Sequence, residues 1–181
     1  MLEGEEPTIS TALSSQPDTA SPTPAAAKRL AKAYEAHRAG LRARQNGRGG
    51  RAVQLLAKAA AAAPDAVDIQ CDLGLAYKAE GRFEEAAACL GQVTKLVPQS
   101  AESHSNLGSA FHAWGKAEDA LACYRRAVAI KPNDAQIQAN LGNALLSLGR
   151  YDDAVATYRR GVECDPHEVK VRANLGVALK E

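Results

Sequence analysis

The chain has 181 residues, a formal net charge of +1, 46% hydrophobic residues and only 4% aromatic ones. That balance excludes a chain disordered throughout, and no run approaches the roughly 18 apolar residues of a membrane-spanning helix. Much of the apolar count is alanine, the residue of closely packed helices.

Residues 1–27 are rich in Pro, Ser, Thr and Ala and hold acids but no Lys or Arg. They bury too little to offset their ordering entropy, so a disordered, dispensable tail is expected. The start has no basic beginning and no continuous apolar core, so it is not expected to act as a secretory signal. Ser21-Pro22 and Thr23-Pro24 are conceivable kinase sites, though ordinary tail chemistry accounts for them as well.

Lys28 to Arg51 changes character, with eight basic residues (Lys28, Arg29, Lys32, Arg38, Arg42, Arg44, Arg48, Arg51) against Glu35. A degenerate first unit is expected over 28–66, carrying Gly40, Gly47, Ala52, Leu56 and Pro64. Its charge reads as the polar outer face of a terminal unit. The other reading is a patch for nucleic acid or an anionic membrane. With only Tyr34 interleaved as an aromatic, such partners are not expected.

Full units follow at 67–100, 101–134 and 135–168, and 169–181 reads as the first helix of an incomplete unit. Leu107-Gly108 recurs as Leu141-Gly142 after 34 residues (141 − 107 = 34). Leu73-Gly74 and Leu175-Gly176 keep that step, as do Ala86, Ala120 and Ala154, then Leu90, Tyr124 and Tyr158, then Pro98, Pro132 and Pro166. A fixed period of this length signals a stacked repeat array. Each unit holds two runs at helical spacing, such as Leu107, Phe111 and Trp114, then Ala120, Tyr124, Ala127 and Val128. Gly81, Gly115 and Gly149 mark a mid-unit turn, and the prolines close each unit. Gly108 and Ala120, and Gly142 and Ala154, are expected where paired helices cross. Val171, Leu175 and Ala178 form a stripe with no expected partner in the chain, which suggests a piece of something longer.

In the middle unit Leu107, Gly108, Phe111, Ala120, Tyr124 and Pro132 resemble the signature of the tetratricopeptide repeat, with His104 where the family has an early Trp. The resemblance covers about Ala33 to the end. It implies an all-α, right-handed superhelical solenoid of antiparallel helix pairs whose first helices line a concave surface.

No catalytic motif is legible. His104 and His112 lie eight residues apart, about 12 Å along a helix, too far to share a metal. The GRGGR run at 47–51 lacks the Lys-Ser/Thr of a phosphate loop. Cys71, Cys89, Cys123 and Cys164 have no C-x-x-C spacing and read as reduced thiols of a cytoplasmic protein. No enzyme activity, cofactor or metal is expected within these residues.

The informative set is Asn106, Asn140 and Asn174, each before Leu-Gly, with Asp72 at the corresponding earlier position. An asparagine offers a donor and an acceptor that match a peptide amide. The row is similar to the asparagine ladder of O-linked N-acetylglucosamine transferases. Ser105, Ser109 and His112, then Ala139, Asn143 and Ser147, are expected to complete a mostly uncharged groove. The family's lysine-dependent grip on a carboxylate would want Lys where Ser105 and Ala139 stand, so that mode is disfavoured.

The expected function is a protein-interaction module holding an extended peptide or partner helix on its concave face. Two alternatives stay open: the substrate-recruiting arm of a longer glycosyltransferase, and a self-assembling scaffold with open ends.

Overall fold

The computed structural model describes residues 23–180, and among these it forms nine α-helices and no strand. They are α1 (Pro24–Gln45), α2 (Gly49–Ala62), α3 (Val67–Ala79), α4 (Phe83–Leu96), α5 (Ala101–Ala113), α6 (Ala117–Ile130), α7 (Ala135–Ser147), α8 (Tyr151–Cys164) and α9 (Val169–Ala178). None is long and apolar enough to cross a membrane. Consecutive helices pair as hairpins (α1 with α2, α3 with α4, α5 with α6, α7 with α8), and each hairpin stacks on the next.

The expected tail ends sooner than its composition suggested. Residues 24–27 already lie in α1, because Thr23 accepts a hydrogen bond from the Ala26 amide at 3.3 Å and Pro24 occupies the first turn. Threonine as cap, proline just inside and an alanine run together form a strong helix start. The remainder of that tail, residues 1–22, lies outside the described residues.

Inside each hairpin the turn needs a left-handed residue, and Gly47, Gly81, Gly115 and Gly149 supply it at φ 70°, 73°, 79° and 69°. Later helices start on side-chain caps: Ser100 accepts from the Ser103 amide and Asp134 from the Ile137 amide. The two helices of a pair then close on a second glycine. A Cβ on Gly108 would stand 2.8 Å from Tyr124 Cε1, and one on Gly142 would stand 2.5 Å from Tyr158 Cε1. The glycines stand directly under the tyrosine rings at these crossings. Ala120 and Ala154 are fully buried nearby.

The backbones of odd-numbered helices come within 8 Å of the odd helix of the next unit, whereas those of even-numbered helices do not approach one another so closely. A stack closer on one side bends toward that side. The odd helices therefore line the inner, concave surface.

The last helix departs from expectation. Val171 and Ala178 are buried against the preceding unit, at 0% and 3% exposure, with Leu175 packed beside them. The open surface of α9 is instead Val169, Val177 and Leu179. The expected stripe has the right spacing but a different partner: it docks backwards onto α7 and α8.

Two glycine substitutions separate these contacts. Gly142→Ala gains helix propensity of about 1 kcal/mol but drives a methyl into a ring that is 0% exposed. A net loss of about 1–2 kcal/mol is expected in urea unfolding. Gly176→Ala, whose methyl meets nothing within 4 Å, should instead stabilise by about 0.5–1 kcal/mol.

Candidate functional site

One register position recurs on the inner helices: Asp72 on α3, Asn106 on α5, Asn140 on α7 and Asn174 on α9. All four are half-buried. Each reaches back to the preceding odd helix. Asp72 Oδ2 lies 2.7 Å from His37 Nε2, and Arg44 donates to Asp72 Oδ1 at 3.4 Å. Asn106 Nδ2 donates to Cys71 Sγ at 3.6 Å, and Asn140 Nδ2 donates to Ser105 Oγ at 3.2 Å.

These partners sit 35 positions upstream. For Asn174 that position is Ala139, which has no polar group, so Asn174 Nδ2 turns to Asn143 Oδ1, 31 positions back, at 3.0 Å. Offsets of 31 and 35 differ by one helical turn and so mark one face of the neighbouring helix. The row therefore stitches the odd helices together. Each side-chain amide keeps a second N–H outside these bonds.

Asn143 is the most firmly held member. Its Oδ1 accepts from the buried Tyr158 hydroxyl at 2.6 Å as well as from Asn174. With the oxygen doubly engaged, the amide orientation is fixed and its two N–H donors face the remaining space. Asn140 Oδ1 in turn accepts from Gln136 Nε2 at 3.1 Å.

The other expected groove residues divide. Ser105 is the acceptor for Asn140, and Ser109 Oγ accepts from Lys78 Nζ at 2.8 Å. His112 Nε2 lies 2.9 Å from Ser147 Oγ. Ala139 does not line the groove: it is 2% exposed and belongs to the core around Tyr158. Nor is the face mostly uncharged. Lys78 enters it half-buried, and burial holds its ammonium below the usual lysine range. Asp68 and Glu102 edge its clefts, as do Lys131 and Asp134, which pair at 2.6 Å. The signal missed in the sequence is the same period: Arg44, Lys78 and His112 share one register, and Asp68 and Glu102 share another.

The basic residues of α1 are exposed, and Arg44 alone among them is drawn into the groove, to Asp72. The acid at the head of the row thereby serves the basic first unit. All four cysteines are free and half-buried. Burial pushes the Cys71 thiol up, with Asp72 and Glu102 adding to it, and Cys89 and Cys123 rise for the same main reason. Among the described residues no three His, Cys, Asp or Glu side chains group to hold a metal.

The inner face presents a row of amides on stacked helical hairpins, the form of a helical-repeat solenoid. The sequence profile of the tetratricopeptide repeat matches residues 71–135, 115–169 and 139–179, well over half the chain, and the protein belongs to that family. No curated protein sequence matches it. Among solved structures it is similar to the MamA protein, with 25% identity over 82% of this chain and 81% of that one and a TM-score of 0.73. The Sgt2 TPR domain from Aspergillus fumigatus is 22% identical over 63% of this chain and 77% of its own, with a TM-score of 0.61. The first TPR of Spaghetti (RPAP3), bound to an HSP90 peptide, is 21% identical over 63% of this chain and 90% of its own, at 0.60. The last two likenesses concern the fold alone.

The buried phenols make the scaffold alkali-sensitive. Tyr124 and Tyr158 are pushed from 10.0 up to about 12, by burial first, and Cys123 from 9.0 up to about 11. A raised acid keeps its proton longer when folded, so stability is whole below pH 9 and falls as pH climbs from about 9 through 12. Melting temperatures taken across that window should drop, and Tyr158→Phe should drop less steeply than the parent.

Proposed function

We propose that the concave face captures an extended peptide or a helix of a partner protein, with the amide row gripping backbone groups. The observation that carries this reading is the recurrence of Asn106, Asn140 and Asn174 at one register of successive inner helices, with Asn143 fixed beside them. Side-chain amides donate and accept in the geometry a peptide unit requires, and they do so without choosing its side chains. That a peptide can seat on this fold is supported by the RPAP3 domain, whose structure holds one.

A role as the substrate-recruiting arm of a glycosyltransferase would use the same ladder. It differs in needing a catalytic domain on the same polypeptide. Self-association is favoured by one separate feature. Val177 and Leu179 on α9 are 55% and 58% exposed, beside Gly176 with open space above it. Sedimentation mass that rises with concentration, and that Leu179→Glu abolishes, would support it; a constant mass would remove it.

For the ladder itself, Asn106, Asn140 and Asn174 are all changed to Ala. Each lost bond to a ligand costs about 0.5–1.5 kcal/mol, so partner affinity should fall roughly 10-fold to 10³-fold. The fall should be the same at low and high salt, because the groups are neutral. Since each amide also bridges two helices, the variant is titrated at a temperature where circular dichroism shows it folded. A folded triple variant that binds as tightly as the parent would take the ladder out of the mechanism.

A further inference from the structure

Beside Asn106 the concave face opens into a cleft of about 450 Å³. Four helices and the α4–α5 connection meet there. Tyr34 comes from α1, Val67 from the start of α3, Val93 and Val97 from the end of α4, and Asn106 from α5. The walls are mostly apolar, with an aromatic ring on one side and Ser100, Ser103 and Asn106 among them. The rim is not: Asp68 and Glu102, from the first turns of α3 and α5, stand at the mouth. Both carboxylates are exposed, and among the described residues neither makes an ion pair or a side-chain hydrogen bond.

The charges that face the cleft are known. Asp72, one turn along α3, is already held by His37 and Arg44. On the other side of Glu102, Lys131 is paired with Asp134 at 2.6 Å and feels Glu102 only as a lesser influence. The mouth therefore carries two carboxylates without an ion pair of their own, above a mostly apolar throat. On the cleft wall burial raises the Cys71 thiol first, with Asp72 and Glu102 adding to it while the Asn106 hydrogen bond and Arg44 act against them.

A long side chain with an aliphatic stem and a cationic head matches that distribution. Lysine and arginine bury their methylenes while keeping the charge at a polar rim. A guanidinium can also lie on an aromatic face and fork between carboxylates. Clefts of about 300–1,000 Å³ hold whole small ligands, so this one has room for a single long side chain. An acidic side chain would meet two like charges, and a plain apolar one would leave both unanswered.

The geometry points to the Tyr34–Val67–Val97 cleft, rimmed by Asp68 and Glu102, as a specificity pocket for an arginine or lysine side chain of the bound peptide. This rests on the concave-face reading above and adds side-chain choice to a ladder that reads only backbone. The next cleft along, between α5 and α7, has the same Glu102 on its rim but is closed electrostatically by the Lys131–Asp134 pair. Selection for a cation thus resides in the first cleft alone.

The test uses the full chain, ¹⁵N-labelled, and three capped nine-residue alanine–glutamine peptides that differ only at the centre: arginine, norleucine or glutamate. Amide shifts are followed by titration, with Asp68→Asn/Glu102→Gln as the variant. Neither substitution removes a contact, so the amide spectrum of the variant should stay that of a folded chain. The arginine peptide is expected to shift Asp68, Cys71, Glu102 and Asn106, and the variant should bind it roughly tenfold more weakly while binding norleucine peptide unchanged. Equal affinity for the arginine and norleucine peptides, a preference for glutamate, or a variant that binds all three like the parent would each overturn the pocket. The two readings separate in the same spectra. Shifts at Asn140 and Asn174 from every peptide, with Asp68 and Glu102 silent, overturn the pocket and leave the ladder. Arginine-dependent shifts at Asp68 and Glu102, with Asn140 and Asn174 silent, support the pocket and count against the ladder.

Discussion

Everything in this molecule depends on one contact made four times: a glycine of the first helix under a large side chain of the second. Gly40 faces Leu56, Gly74 faces Leu90, Gly108 faces Tyr124 and Gly142 faces Tyr158. In each case an added Cβ would come within 3.0 Å of the opposing side chain, closer than real packing allows. The missing methyl lets two helices approach, and the large residue then fills the seam and is itself buried. Without that approach the hairpin has no core, and without hairpins there is nothing to stack.

The contact reaches the candidate site directly. Tyr158 lies over Gly142 and sends its hydroxyl through to Asn143, where it fixes the amide that Asn174 also uses. The packing core and the concave face are therefore joined by one side chain. Tyr124 fills the same place over Gly108, in the unit whose Ser109 accepts from Lys78. Where the second helix carries Leu56 or Leu90 there is no such hydroxyl. The link from core hydroxyl to inner-face amide is thus made in the unit that carries Tyr158.

The period of 34 made the hairpins, their turns and their glycine seams legible, because each is a local demand repeated at fixed spacing. What the period could not show was the offset between neighbouring inner helices. Asp72 looked like a break in the asparagine row until His37 and Arg44 proved to stand 35 and 28 positions upstream of it. Ala139 shares a register with Ser105, yet it is buried in the core that Tyr158 fills. Val171, Leu175 and Ala178 have the spacing of a stripe, but spacing does not say which neighbour covers it. The cleft beside Asn106 draws on residues from 34 to 106 in the chain, and no local pattern announces such a convergence.

The central claim is that the inner face reads peptide backbone through neutral amides. Its most direct measurement is an amide-to-ester scan of a peptide selected for binding to this chain, with affinity measured for each single replacement. An ester removes one backbone N–H and weakens the carbonyl beside it while leaving the side chains alone. Esters over the ladder should each weaken binding by roughly three- to tenfold, as expected for a hydrogen bond of about 0.5–1.5 kcal/mol, while alanine replacements at those same residues change little. Esters that bind like the parent, beside alanine replacements that abolish binding, would contradict the claim.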